Sequence, residues 1–428
     1  MPPPHKENFF FSALDKSFIN KIGRKTGFVS RSDGKIKPVN FVLSFIRLTS
    51  HGFKSYADWA SELSLELKGT LTKQAVEERM NIRTENFVKE LVQQQFLRAV
   101  VKNVKQKCAK KFKNIYCEDS THLNLPEELS SHYPGNVSRG KKMAVAKIHS
   151  LYNMSKNQFA FLDIHSFRKN DQGLSLVSYN YLKKGDLIIR DLGFLVLSCL
   201  KKFAQSGICF ITRKKYGIKS YNPHSGKEII LTKKLRLNGF FDQEVLIGES
   251  RQKMRMIAIQ VPTHVANQRR RKAMKDRDKR LNHNAEYYFL LGFTILLTNI
   301  EKNECSATEV QELYGLRWRI ETIFKSWKSI FSLQAVIPSK CSNVHRINCI
   351  IYLMLFYIQI FQQFYRKCSD GCLLQLSITK LAAFFKRHIN WILGQNKIQV
   401  SHAMIQSCYY ERRRNRKNAM EKYFKVVT

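Results

Sequence analysis

Residues 314–328 read Tyr-Gly-Leu-Arg-Trp-Arg-Ile-Glu-Thr-Ile-Phe-Lys-Ser-Trp-Lys. On a helix each residue advances by about 100°, so Tyr314, Arg317, Glu321 and Lys328 are expected on one stripe about 60° wide. A carboxylate beside two cations and a phenol suits a site that holds a metal and a phosphate backbone together. The spacing alone more readily indicates an ordinary surface ion pair, because Arg317 and Glu321 stand four residues apart.

The charge of the chain indicates a polyanionic partner. Its 428 residues include 73 Lys and Arg but only 33 Asp and Glu, a net charge of +40. The most apolar stretch, 350–360, is about half the roughly 20 residues that a membrane span needs, so we expect a buried helix there. We also expect no signal peptide, no structural zinc, no small-molecule substrate and a cytoplasmic location. The charge is therefore assigned to nucleic acid rather than to a membrane.

The first part of the chain, residues 1–108, is predicted to be a helical DNA-binding domain. An amphipathic segment begins at Ser55, Gly69 interrupts it, and Thr72 is expected to cap a second helix, Lys73–Asn81. Two helices joined by a glycine-containing turn have the outline of a helix-turn-helix. A helical hairpin that packs only for its own core fits the same pattern.

The period of the sequence changes near residue 109, and residues 109–213 are predicted to form the first part of an α/β core. Short β-prone runs occupy 114–118, 143–152, 159–164, 186–190 and 208–212, and a helix is expected over 192–204. Three strands close in sequence, followed by strand, helix and strand, indicate a mixed sheet.

Residues 214–300 are predicted to be a β-rich insertion into this core. Strand-like pieces are expected at 228–232, 244–247, 254–261 and 287–298, with a basic run from Arg269 to Arg280 between the last two. Residues 301–340 return to the core with a helix that begins near Ser306. Residues 341–428 are predicted to be a helical region that ends in a second basic run, 412–417.

The pattern Tyr-x2-Arg-x3-Glu-x6-Lys resembles the YREK signature of the insertion-sequence-four family of bacterial cut-and-paste transposases, which are of the DDE type. It fixes four residue types over fifteen positions, and the resemblance extends by motif over residues 110–335. It implies a ribonuclease H-like core with three catalytic acids. Asp119, after the first predicted strand, and Asp191, before Leu192-Gly193-Phe194, match the first two, and Glu321 matches the third.

The chemistry of phosphodiester cleavage agrees with such a triad. Two-metal sites use two hard cations about 3.5–4 Å apart, and Mg²⁺ prefers oxygen ligands. We therefore expect Asp119, Asp191 and Glu321 to hold two Mg²⁺ ions, for which Mn²⁺ can substitute. Other acids compete for these roles: Glu118, which should face the other side of its strand, and Asp163, Asp171 and Asp186.

Further DNA contacts follow from the resemblance and from the charge. The resemblance implies that Tyr314, Arg317 and Lys328 contact phosphates near the cut. Additional phosphate contacts are predicted on the basic side chains Lys73, Arg213, Arg269, Arg270 and Arg271. Hairpin-forming relatives hold a flipped base on an aromatic side chain; Phe293 is the nearest candidate, and a core position suits it better.

Together these patterns predict a DNA transposase with an α/β (α+β) catalytic core. The resemblance implies binding to the terminal inverted repeats of its own element, a synaptic homodimer, release of the element and joining of its 3′-ends to target DNA. Three other readings remain open: a catalytically degenerate DNA-binding regulator, a ribonuclease H-like nuclease with another substrate, and a basic DNA-compacting protein.

Overall fold

The computed structural model describes twelve stretches of the chain: residues 8–9, 15–30, 35–53, 55–67, 69–98, 111–138, 140–156, 158–276, 284–369, 376–394, 398–399 and 405–409. Its N-terminal helices are α1 (Lys16–Lys25), α2 (Pro38–His51), α3 (Tyr56–Leu67), α4 (Lys73–Arg79) and α5 (Ile82–Arg98). The predicted basic run at 412–417 lies outside the described residues.

The N-terminal helices form around one aromatic cluster. Trp59 on α3 is fully buried and its ring contacts Phe41 and Phe45 on α2. The Thr72 side chain accepts a hydrogen bond from Ala75 N and so begins α4, as the sequence predicts. The two predicted helices are therefore α3 and α4, joined by the predicted turn. This arrangement fits both a DNA-binding helix-turn-helix and a hairpin that packs only for its own core.

The core of the chain is a mixed sheet. The described residues place ten strands in it: β2 (Ile115–Leu125), β3 (Pro134–Ser138), β4 (Lys141–Asn153), β5 (Gln158–Ser166), β6 (Leu187–Arg190), β7 (Cys209–Arg213), β8 (Ser220–Tyr221), β9 (Phe240–Ile247), β10 (Gln252–Gln260) and β11 (Phe293–Thr298). A separate short pair joins β1 (Asn8–Phe9) to β12 (Ile398–Gln399). The predicted mixed α/β core is confirmed.

The order of the strands shows how residues 214–300 join the core sheet. It runs β3-β4-β2-β6-β7-β11-β10-β9-β8, with β5 also paired to β4. The pairs β2–β6 and β6–β7 are parallel, whereas β7–β11 and the strands beyond it are antiparallel. Strands from residues 214–300 thus extend the same sheet, because β11 pairs directly with β7.

The helices between the strands correct three local predictions. They are α6 (Asp171–Leu174), α7 (Leu197–Gln205), α8 (Leu231–Asn238), α9 (Thr263–Met274) and α10 (Ala285–Leu290). The strand predicted at 228–232 is wrong, because α8 begins within it. The strand predicted at 287–298 begins only at Phe293, after α10. The helix predicted at 192–204 is divided into a 3₁₀ turn, Leu192–Phe194, and α7.

In the C-terminal part, the described residues contain the helices α11 (Ala307–Gly315), α12 (Trp318–Ser329), α13 (Val344–Ser369), α14 (Ile378–Arg387) and α15 (Ile389–Gly394). The apolar helix α13 has 26 residues, far more than the stretch predicted from hydropathy. By length and composition it could cross a membrane, but 83% of its most apolar window is buried inside the protein. It packs against α5 and α2, and Tyr357 bonds Ser50 across that contact.

Candidate active site

The register of two parallel strands brings Asp119 and Asp191 together. The last parallel pair between β2 and β6 joins Glu118 to Arg190, so each aspartate is the next residue on its strand. Asp191 directly follows β6, as predicted. Asp119 does not end its strand, because β4 pairs with β2 as far as Leu125 and extends it beyond the parallel part.

Helix α12 carries Glu321 over the edge formed by these two aspartates. Its apolar face is buried through Ile320, Ile323, Phe324 and Trp327, and the ring of Trp327 contacts Phe159 on β5. The Gln334 side chain, just beyond the helix, exchanges hydrogen bonds of 3.0 and 2.9 Å with the backbone of Asn124 on β2. The opposite face therefore points Glu321 outward from the core.

The predicted continuous helix through residues 314–328 is wrong at its first turn. Helix α11 ends at Gly315 and α12 begins at Trp318, and the joint is held by i to i−3 bonds such as Arg317 N to Tyr314 O, 3.1 Å. These 3₁₀-type bonds tighten the turn. Tyr314 and Arg317 nevertheless stay on the same side as Glu321.

The Arg317 guanidinium lies among all three predicted acids. Its Nη1 is 3.6 Å from Asp119 Oδ2 and 4.0 Å from Asp191 Oδ2, and its Nη2 donates to Glu321 Oε1. The Tyr314 hydroxyl donates to Asp191 Oδ1 at 3.5 Å. Five of the six residues predicted for this site, all except Lys328, are thus connected through Arg317 and Asp191.

The protonation of this group reflects burial and mutual charge. Burial raises the pKa of Asp119 to about 7, and Asp191 and Glu321 add to the effect, while a Ser120 N–H bond and Arg317 oppose it. Burial acts to lower the pKa of Arg317, but Asp191, Tyr314, Glu321 and Asp119 together hold it above its usual value. The guanidinium therefore stays charged, whereas Asp119 keeps its proton to a higher pH than an exposed aspartate does.

A cleft of about 520 Å³ opens at this group. Asp119 and Ser120 on β2 line it together with residues of α12, namely Glu321, Phe324, Lys325, Lys328 and Ser329. Lys328, predicted from the sequence, therefore borders the same space as two of the acids. Two exposed ammonium groups that border the same cleft as the acids suit a substrate that carries phosphates.

The three carboxylates have the oxygen donors that Mg²⁺ prefers. Among the residues that the structure describes, however, no group of three His, Cys, Asp or Glu is close enough to form a ready metal site. The Arg317 guanidinium stands where the carboxylates converge. The donor chemistry fits the predicted metal, and the Arg317 charge offsets part of the repulsion among the three acids.

Arg213 lines a second, larger cavity of about 820 Å³ beside the active site. Its lining includes Leu192, which follows Asp191, together with Lys214 and the aromatic Tyr216 and Tyr287. Burial lowers the pKa of Lys214 to about 8. Phe293 also borders this cavity but is only 7% exposed and packs on Phe289, as expected of a core residue.

The predicted DNA contacts at the basic run and in the N-terminal region fall into two groups. Arg269 donates to Phe293 O at 2.9 Å and to Thr294 Oγ1, and Arg270 donates to Tyr288 O, so both fasten α9 to the chain around β11. Arg271 on α9 and Lys73 on α4 are exposed, with Lys73 3.5 Å from Glu77. Exposure keeps the last two accessible to phosphates.

Three of the four acids that compete for the catalytic roles, Glu118, Asp163 and Asp186, bond residues outside the cleft. Glu118 faces away from the cleft, as predicted, and is fully buried against Arg190 and His149. Asp186 accepts from Asn114 Nδ2 and Lys183 N, and Asp163 accepts from the Tyr352 hydroxyl.

Sequence reasoning missed the buried Glu118–Arg190 pair and the contacts of Asp171 with Ser120 and Lys147. Their only local signal is that Glu118 and Arg190 each precede a predicted catalytic aspartate. The partners of Asp171 are 51 and 24 residues away, so no sequence spacing connects them.

Comparison with known proteins finds transposases of bacterial insertion sequences among the similar proteins. The transposase for insertion sequence element IS1151 of Clostridium perfringens is 27% identical over 365 residues, 79% of this chain and 76% of that protein. The transposase for element IS231B of Bacillus thuringiensis subsp. berliner is 24% identical over 373 residues, 81% and 77% of the two chains. The putative transposase InsL for element IS186A of Escherichia coli K12 is 35% identical over 100 residues, 22% and 27%.

Among solved structures, the cryo-EM structure of the piggyBac transposase synaptic complex with hairpin DNA is similar at a TM-score of 0.48 and 8% identity. The match covers 98% of this chain and 84% of that one. Residues 110–356 match the family described as the transposase DDE domain, and they include Asp119, Asp191 and Glu321. Because this match covers more than half of its 428 residues, the chain belongs to the transposase DDE domain family and is an enzyme that acts on DNA.

Proposed function

We propose that this enzyme is a cut-and-paste transposase of the insertion-sequence-four family with a ribonuclease H-like core. Tyr314, Arg317, Glu321 and Lys328 are its YREK residues, and Asp119 and Asp191 complete the acidic triad. The observation that carries the proposal is the convergence of all three carboxylates on the Arg317 side chain. A DNA-compacting protein needs no such arrangement.

Asp119, Asp191 and Glu321 would hold two Mg²⁺ ions, or Mn²⁺ in their place. When bound, such ions activate a water or 3′-hydroxyl nucleophile and stabilise the leaving oxygen. For the carboxylates to serve as ligands, the Arg317 side chain has to withdraw from them. A guanidinium released beside the cleft can pair with a phosphate, with the bidentate geometry that arginine favours.

The DNA would lie along the cationic side of this cleft. Lys325 and Lys328 border it, Arg213 lines the neighbouring cavity together with Leu192, and Arg271 is exposed on α9. By the family resemblance, the N-terminal helices bind the terminal inverted repeats, a homodimer joins two ends, and the freed 3′-ends attack target DNA. Because bacterial DNA lies in the cytoplasm, the enzyme would act there.

The experiment that tests this function uses labelled DNA in which the end of this gene's own element is followed by flanking sequence. With Mg²⁺ we expect cleavage at the element boundary, and joining of the freed 3′-end to a target plasmid. A duplex of the same length with a scrambled end should not be cut. Equal cleavage of both duplexes would favour a general nuclease, and binding without cleavage in either metal would favour a regulator.

Replacing Lys328 by Ala is expected to weaken binding of the end duplex and to make it less sensitive to salt. Loss of one phosphate contact should lower the slope of log K against log salt concentration by about 1. The measurement is a titration of labelled duplex at several salt concentrations. Lys253→Ala is the matched control, since Lys253 is exposed and pairs with Glu244 on the neighbouring strand; an equal change there would assign the effect to net charge.

A further inference from the structure

A fourth carboxylate, Asp171, touches the segments that carry both catalytic aspartates. Its Oδ1 accepts a hydrogen bond of 3.0 Å from the hydroxyl of Ser120, the residue after Asp119. The same oxygen is 2.9 Å from Lys147 Nζ on β4. The Lys147 side chain is only 5% exposed, so this ion pair is shielded from solvent on the lysine side.

The other oxygen of Asp171 faces the turn after Asp191. A Cβ atom added to Gly193 would lie 2.8 Å from Asp171 Oδ2, closer than real Cβ contacts allow. Glycine at this position therefore lets the turn approach the carboxylate. The Ser175 hydroxyl, just after α6, donates to Phe194 O at 3.1 Å and so joins the end of α6 to the turn after Asp191.

Asp171 is itself held firmly. It is the first residue of α6, and the side chain of Asn170 caps that helix by accepting from Gly173 N at 2.8 Å. Lys147 fixes the carboxylate from the sheet. Two donors, the Ser120 hydroxyl and the nearly buried Lys147 ammonium, converge on the same Asp171 oxygen and hold the carboxylate in one orientation.

We propose that Asp171 is a positioning residue that sets the separation of Asp119 and Asp191. It acts on one through Ser120 and on the other through its contact with Gly193, while Lys147 holds it in place. This inference rests on the proposed function, because it concerns how the two aspartates meet as metal ligands. Residues that support metal ligands in this way typically change metal affinity or activity by about 10–100-fold when replaced.

Gly193→Ala tests the proposal with both charges retained. We expect it to weaken Mn²⁺ binding, measured without DNA by electron paramagnetic resonance, and to slow cleavage of the end duplex, each by about 10–100-fold. Thermal melting should show a folded protein. In a Lys147→Met/Asp171→Ala background, which leaves no unpaired charge, the same glycine substitution should change both quantities by less than about threefold, because its collision partner is gone.

The outcomes separate this inference from the proposed function. Wild-type metal binding and cleavage by Gly193→Ala would overturn the positioning role and leave the transposase assignment intact. Equal losses from Gly193→Ala in both backgrounds would also overturn it, since the effect would not pass through Asp171. If the wild-type protein neither binds Mn²⁺ nor cuts the end duplex, the positioning role of Asp171 and the proposed transposase function are both wrong.

Discussion

Asp119→Asn is expected to abolish DNA cleavage and, at the same time, to stabilise the metal-free protein at pH 8. Loss of a metal ligand removes several kcal/mol of transition-state stabilisation, so cleavage should fall by about 10³-fold or more. The stability gain comes from the pKa of Asp119, which burial raises to about 7. The side-chain amide of the Asn variant is uncharged, so burying it at pH 8 does not carry the desolvation cost of an ionised carboxylate.

The sign of the pH effect follows from the two pKa values of this carboxyl. Its pKa is about 7 in the folded protein and about 3.9 in an unfolded chain, so the folded state binds the proton more tightly. The stability that this group contributes is complete below pH 4 and is lost as the pH rises through 7. The Asn variant lacks this loss.

Chemical unfolding in EDTA measures the difference. The variant should match wild type near pH 3.5 and exceed it by a few kcal/mol at pH 8, since one pKa unit is about 1.4 kcal/mol. Glu249→Gln, at an exposed carboxylate, is the control and should show no such difference. An Asp119→Asn protein that still cuts, or that is less stable at pH 8, would contradict the geometry described for this carboxylate.

Arg190→Met is expected to destabilise the protein by about 3–5 kcal/mol, because it leaves the Glu118 carboxylate buried without its cation. Both side chains are fully buried, and Arg190 Nε is 2.5 Å from Glu118 Oε2. His149 and Ser178 add hydrogen bonds to Glu118 of 2.8 and 3.3 Å, but neither replaces the guanidinium. Urea unfolding measures the loss.

Two further variants define the cause. Glu118→Gln/Arg190→Met removes both charges and should recover most of the lost stability. Lys253→Met breaks an exposed pair, 3.0 Å from Glu244, and should cost less than about 1 kcal/mol. A cost for Arg190→Met as small as that of Lys253→Met would mean that the buried pair does not hold β2 to β6.

The sequence was informative where chemistry follows a local pattern. Asp191 and Glu321 lie as the motif predicts, one after a buried strand and the other on an amphipathic helix whose apolar face is buried. Thr72 caps its helix because a hydroxyl there has the required spacing to a backbone N–H. These features depend on neighbours in sequence, which periodicity and capping rules describe well.

Features set by distant partners could not be predicted in the same way. Strand β2 continues past Asp119 only because β4 pairs with it. The helix break before Trp318 was missed, although Gly315 weakens helix at that point. Arg269 looked like a phosphate contact, yet it donates to the carbonyl of Phe293, which lies 24 residues further along. A charge run shows the charge of a surface but not which members pair inside the protein.

The most direct test of the central claim, that three carboxylates form one metal-dependent site for cutting DNA, is cleavage of the end duplex by Glu321→Ala. We expect this variant to bind the duplex as wild type does and to cut it about 10³-fold more slowly in Mg²⁺. Glu312→Ala, which removes a carboxylate from α11, should cut normally. Wild-type cleavage by Glu321→Ala would contradict the account.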